Sequence, residues 1–200
     1  ALYANTTGSN NTAFGRSALQ DNTTANSNTS IGYRALAVNS TGTENVAVGA
    51  DALTDSTTGS YNTAVGKSTL EVNTTGSENT ASGFNALNDN TTGNNNTAIG
   101  YNALWKNTTG ATNTAVGTGS STACTTGINN TTTGAASGIS LTTGDNNLLL
   151  GHDAGRSGSP GGQITTQNSY IVLGDENINS ARIQVDWTVA SDARDKTDFT

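Results

Sequence analysis

Large apolar residues fall at two places in each stretch of 17 residues, and small or polar residues fill nearly everything between them. One place holds Phe14, Ile31, Val48, Val65, Ile99, Val116 and Leu150, with Ser82 and Thr133 as exceptions. The other holds Leu19, Leu36, Leu53, Leu70, Leu87 and Leu104. Small residues such as Ala47, Ala64, Ala52 and Ala103 flank both. Asparagine keeps the same period of 17 from Asn11 through Asn28, Asn45, Asn62, Asn79 and Asn96 to Asn147. Glycine follows four residues later, from Gly15 through Gly49, Gly66 and Gly83 to Gly151. A globular domain has no reason to hold one period so long. A solenoid does, because equal coils stacked on one another bring like residues into register.

Within one coil the pattern predicts short β-segments. In the coil starting at Asn62, residues 62–66 read as a strand, Thr69-Leu70 as a second strand and 73–76 as a turn. Nothing supports helix, since Gly and Asn recur too often and no apolar stripe at 3.6 spacing runs long enough. The expected fold is all-β: a repetitive β-solenoid rod, of parallel β-roll or β-helix type. Stacked Asn side chains such as Asn28, Asn45, Asn62, Asn79 and Asn96 are expected to hydrogen-bond from rung to rung. An unbroken Thr column runs from Thr7 through Thr58 and Thr75 to Thr143. The fixed glycines, Gly49, Gly66 and Gly83 among them, imply positive φ or close chain approach.

Two large apolar side chains per coil make a thin core against the entropy of ordering the whole coil. The shortage predicts that copies share their apolar surface. One apolar line would face the coil interior and the other a threefold axis, giving a homotrimer.

The pattern changes after Asn113. The Leu slot becomes Ser121 and then Gly138, which predicts a loosened or widened stretch. Residues 152–163 read as a loop holding Pro160, after which the repeat is lost. Residues 170–174 resemble one more apolar strand ending in Gly174, and 182–189 alternate polar and apolar as a half-buried strand does. The expected organisation is a shaft over 1–155, a loop and β neck over 156–190, and a further segment over 191–200.

Composition sharpens this picture. Apolar residues make up 32% and charged ones 12%, so disorder driven by high charge is not the reading. The net charge of −7 without a basic run disfavours nucleic acid as a partner. No apolar stretch approaches the roughly 20 residues of a membrane span. Ala1 stands mid-coil in the repeat phase, so the chain reads as a piece of a longer one. Cys124 is alone, which rules out an intrachain disulfide and a cysteine metal site, and it stands where other repeats carry Asn.

The run Ser191-Asp192-Ala193-Arg194-Asp195-Lys196-Thr197-Asp198-Phe199-Thr200 resembles the opening of the endosialidase-type intramolecular chaperone. That domain ends phage tail fibres, tailspikes and some bacterial surface fibres, trimerises them and then cuts itself off before a serine. Members often carry Asn-Thr-Ala-x-Gly repeats upstream. The repeats are also similar to the coiled heads of trimeric autotransporter adhesins, whose unit length differs. The resemblance implies Ser191 as nucleophile, Lys196 as its base and a scissile bond after Ala190. A lysine serves as base only where burial lowers its pKa from about 10.4 toward neutrality. The folded domain that would supply this lies beyond Thr200, so self-cleavage is expected of the longer chain and not of this one.

Other sites carry less. His152-Asp153 could hold a metal, but the loop offers no further ligand, and Asp175-Glu176 read as solvated carboxylates in a turn. No metal or cofactor is expected. Asn-x-Thr triplets such as Asn73-Thr74-Thr75 match a glycosylation sequon but arise from the repeat itself. The implied function is structural and adhesive: a trimeric virion tail-fibre segment that is extracellular and contacts a host-surface receptor, a glycan. A bacterial cell-surface adhesin stalk is the alternative. An ice-binding Thr face is set back because these Thr precede Gly in a turn. A tailspike depolymerase fragment would need a carboxylate cluster that the repeats lack.

Overall fold

The computed structural model describes residues 1–178. They form a parallel β-solenoid with one three-residue strand per coil: β1 (Thr12–Phe14), β2 (Thr29–Ile31), β3 (Val46–Val48), β4 (Thr63–Val65), β5 (Thr80–Ser82), β6 (Thr97–Ile99), β7 (Thr114–Val116), β8 (Thr131–Thr133), β9 (Leu148–Leu150) and β10 (Ile171–Leu173). The ten strands make a single sheet in chain order, every pair parallel and in register. Thr63 pairs with Thr80, Ala64 with Ala81 and Val65 with Ser82. No helix occurs among the described residues.

The alternation inside each strand decides what the coil buries. The middle residue points inward: Ala47, Ala64, Ala81, Ala98 and Ala115 are fully buried. Its neighbours point outward, as successive strand side chains must. The Leu column supplies the bulk of the interior, with Leu19, Leu36, Leu53, Leu70 and Leu87 at 0% exposure.

These leucines do not sit in a second strand. Thr69 and Leu70 belong to a turn, and Leu70 has a φ of +52°. Leu36, Leu53, Leu87 and Leu104 repeat this left-handed backbone, which costs an L-residue free energy. Burial of the leucine side chain offsets it, because the left-handed step turns that side chain into the coil.

Glycine at the strand end is required twice over. Gly66 has a φ of +132°, and a Cβ there would lie 2.5 Å from the Gly83 carbonyl oxygen of the next coil. The sequence implied positive φ or close approach, and at Gly66 both are present.

The stretch after Asn113 neither loosens nor widens. Strands β7, β8 and β9 stay in register through it. Its core is filled differently, with hydroxyls in place of methyls: Thr132 Oγ1 lies 2.8 Å from Ser120 Oγ and 2.9 Å from Ser121 Oγ. This polar plug separates the long Leu-Ala cluster from a second one made of Leu141, Leu149, Ala154, Ile164 and Val172. The longer coil is the next one. Tyr170 N donates to Asn147 Oδ1 across 23 residues where earlier coils use 17.

The repeat is not lost after this loop. Strand β10 pairs with β9, and Thr142 Oγ1 donates to the Thr165 carbonyl at 3.0 Å, so one more coil is stacked. The expected strand over 182–189 and the segment 191–200, with Ser191 and Lys196, lie outside the described residues.

Candidate functional site

The organising chemistry of the rod is two buried Asn columns that converge, as at Gly76, on one carbonyl in the turn of the coil. In the column of Asn28, Asn45, Asn62, Asn79 and Asn96, each side-chain oxygen accepts the backbone N–H of the next asparagine. Asn45 N reaches Asn28 Oδ1 at 2.9 Å and Asn79 N reaches Asn62 Oδ1 at 3.0 Å. The side-chain amides also ladder, with Asn79 Nδ2 donating to Asn62 Oδ1 at 3.1 Å.

The second column holds Asn22, Asn39, Asn73, Asn90 and Asn107. The amide donates to the carbonyl three residues on, that of Ala25 for Asn22 and of a glycine for the others. Except at Asn73, which follows Ser56, it also donates to the asparagine one coil back, as Asn90 does to Gly93 at 3.0 Å and to Asn73 at 2.8 Å. Both columns meet on one atom. The Gly76 carbonyl accepts from Asn62 at 2.9 Å and from Asn73 at 3.0 Å. All these asparagines are buried, so every amide group carries a desolvation cost, which the ladders offset everywhere but at the side-chain oxygens of Asn39 and Asn107.

Thr58 and Thr75 are exposed and lie in the bend before the glycine. Their backbone amides join the ladder, Thr75 N reaching the Thr91 carbonyl at 3.2 Å. The hydroxyl ladder is one residue earlier, where Thr57, Thr74 and Thr91 Oγ1 donate to the carbonyl of the next coil at 2.9–3.1 Å. Both columns repeat with the same period, and only the local bend separates the one that points along the axis from the one that points out.

The outer face of the sheet carries the second apolar line. Ile31, Val65 and Ile99 are 39%, 40% and 44% exposed, and Phe14 and Leu173 more so. Thr or another β-branched residue stands two positions before most of them. Neither of these two outward columns contains a charged residue in any of the ten strands.

Next to the strand ends runs a third surface column in which Arg16, Tyr33, Lys67, Phe84 and Tyr101 occupy equivalent slots. Phe84 and Tyr101 stack with centroids 5.7 Å apart and planes 11° from parallel. The Lys67 ammonium lies over Phe84 at 6.0 Å, and Arg16 lies over Tyr33 at 5.8 Å. Such aromatic contacts were not read from the sequence. The signal was there in the equal spacing of Lys67, Phe84 and Tyr101, which stacking converts into contact.

The same column reaches His152 and Asp175, on consecutive coils. His152 Nδ1 is 3.5 Å from Asp153 Oδ2 and 3.5 Å from Asp175 Oδ2, so the fold brings in the carboxylate that the loop sequence lacked. Both carboxylates are already engaged. Arg156 donates to Asp153 Oδ2 at 2.7 Å, and Asn177 donates to Asp175 from backbone and side chain. The Asn177 bonds, with His152 beside them, hold the Asp175 carboxyl below its ordinary pKa. With a guanidinium on one carboxylate and amides on the other, the cluster reads as a loop fastener. Cys124 is buried in the second Asn column, and desolvation pushes its thiol up to about 11.

Comparison of the chain with protein-family models, with curated proteins and with solved structures gives no match.

Proposed function

We propose that this chain is a shaft segment of a homotrimeric extracellular fibre of phage tail-fibre type, which spans stiffly toward a host surface and contacts a receptor there. The observation that carries the reading is the outward line of Ile31, Val65 and Ile99 on a charge-free sheet face, beside a core only one leucine thick per coil. Exposed apolar lines, here interrupted at Ser82 and Thr133, are surfaces that other protein covers. Three copies around one axis would bury this line along the whole rod. Stacked ladders of buried amides give each copy the axial stiffness a spacer needs.

The receptor class is a glycan, in keeping with the resemblance of the run 191–200 to fibre chaperones. By the same resemblance the longer chain cuts itself after Ala190 through Ser191 and Lys196. Expression of that longer chain tests this part: a shortened product that disappears in Ser191→Ala supports the dyad, and a full-length product in both removes it.

Sedimentation equilibrium tests the fibre reading itself. A mass of three times the single-chain 20.2 kDa is expected, and a monomer of 20.2 kDa at micromolar concentration would overturn it.

A further inference from the structure

We propose that Tyr101, backed by Phe84, forms a shelf for one ring of a neutral saccharide, with Thr118 and Ala135 as its open floor. The Phe84 ring is used on both sides, by Lys67 on one and by Tyr101 on the other. Among the described residues Tyr101 is used on one side only. The next two residues of its column are Thr118 and Ala135, both exposed and both too short to cover a phenol, and Tyr101 itself is 53% exposed.

The two rings sit on successive coils in an offset stack, their planes 11° from parallel. The face of Tyr101 turned away from Phe84 is on the side of the Thr118 step. Coils repeat at about 4.8 Å, close to the distance at which a flat ring stacks on another. A pyranose ring laid on Tyr101 would thus rest on Thr118 without displacing anything.

The negative face of an aromatic ring attracts the partly positive C–H edge array of a sugar, while hydroxyls need polar neighbours. The exposed Thr118 hydroxyl supplies such a neighbour. From Phe84 to Ala136 this column and the one beside it hold Asn85, Asn102, Thr118 and Gly119 and no charged side chain. The molecule as a whole carries −7. Both facts favour a neutral saccharide over an anionic one.

This inference rests on the adhesive reading and names its contact point. Isothermal titration calorimetry of the full 200-residue chain with maltotetraose, cellotetraose and chitotetraose tests it, with dextran sulfate as the anionic arm. At least one neutral tetrasaccharide is expected to bind. Tyr101→Ala is expected to weaken it about tenfold or more. Thr118→Lys, which sets an ammonium over the open face of Tyr101 as Lys67 sets one over Phe84, covers the shelf without adding a new ring and is expected to weaken it as much. Absence of binding by all three neutral probes, binding of dextran sulfate alone, or unchanged binding in both variants each overturns the shelf. The three-chain mass is read in the same samples. A trimer that binds no sugar sinks only this inference, whereas a monomer sinks the fibre reading.

Discussion

The side-chain oxygen of Asn39 is buried without a hydrogen-bond partner because Ser56, one coil further on, stands where its column otherwise carries asparagine. In intact stretches that oxygen accepts from the next amide, as Asn73 Oδ1 does from Asn90 at 2.8 Å. A serine is too short to reach back, and its own Oγ is unpartnered as well. The second break follows the same rule. Asn107 Oδ1 is orphaned because the next member of the column is Cys124.

Mending the ladder should therefore stabilise the rod. Ser56→Asn is expected to add about 1–2 kcal/mol by pairing the Asn39 oxygen, read as a rise in the denaturant midpoint at constant m-value. A loss of stability would show that the slot had relaxed around serine.

Cys124→Asn is expected to act in the same direction, by about 1 kcal/mol. In the unaltered chain the Cys124 thiol should resist a disulfide reagent at pH 8 until the chain is unfolded, because burial raises its pKa to about 11. The sign follows from that shift. A thiol whose folded value is raised contributes its stabilisation below the ordinary value of 9.0, and the contribution is lost as pH rises through about 11. Alkaline melting curves of the two proteins should thus diverge above about pH 9. Labelling of the folded chain at pH 8 at the rate of free cysteine would contradict the burial.

The two apolar columns should respond differently to shortening. Leu70→Ala empties a fully buried slot and is expected to cost about 2–5 kcal/mol of chain stability. Val65→Ala, at a site 40% exposed on the outer face, should lower the three-chain mass at dilute concentration while leaving the fold nearly intact. Gly66→Ala combines a forbidden φ with a clash against Gly83 and is expected to cost about 3 kcal/mol or more, measured by chemical denaturation.

Acid should loosen the coil that carries Asp175 first. Asp175 titrates below its ordinary 3.8 in the folded chain, so unfolding takes up a proton in acid. The stabilisation is complete above about pH 4–5 and is lost as pH falls through the lowered value. Limited proteolysis near His152 across this range measures it, and Asp175→Asn should flatten the dependence.

The period, a strand within residues 62–66, the two apolar lines and the Asn ladder were all legible because each depends on the repeat alone. What the repeat could not convey is direction. Thr57 and Thr58 have the same period, and only the bend decides that the first bonds along the axis. Leu70 looked like strand because a left-handed leucine is rare, and only burial explains it. Asp175 reached His152 because the coil between Asn147 and Tyr170 lengthens without leaving the stack, which no local residue pattern announces.

Cross-linking tests the shared outer face most directly. A cysteine at Val65 in a Cys124→Asn background should yield inter-chain disulfides on mild oxidation. A cysteine at exposed Thr75, in the bend, should yield none. Equal cross-linking at the two sites, or a freely alkylated and monomeric Val65→Cys chain, would contradict the account.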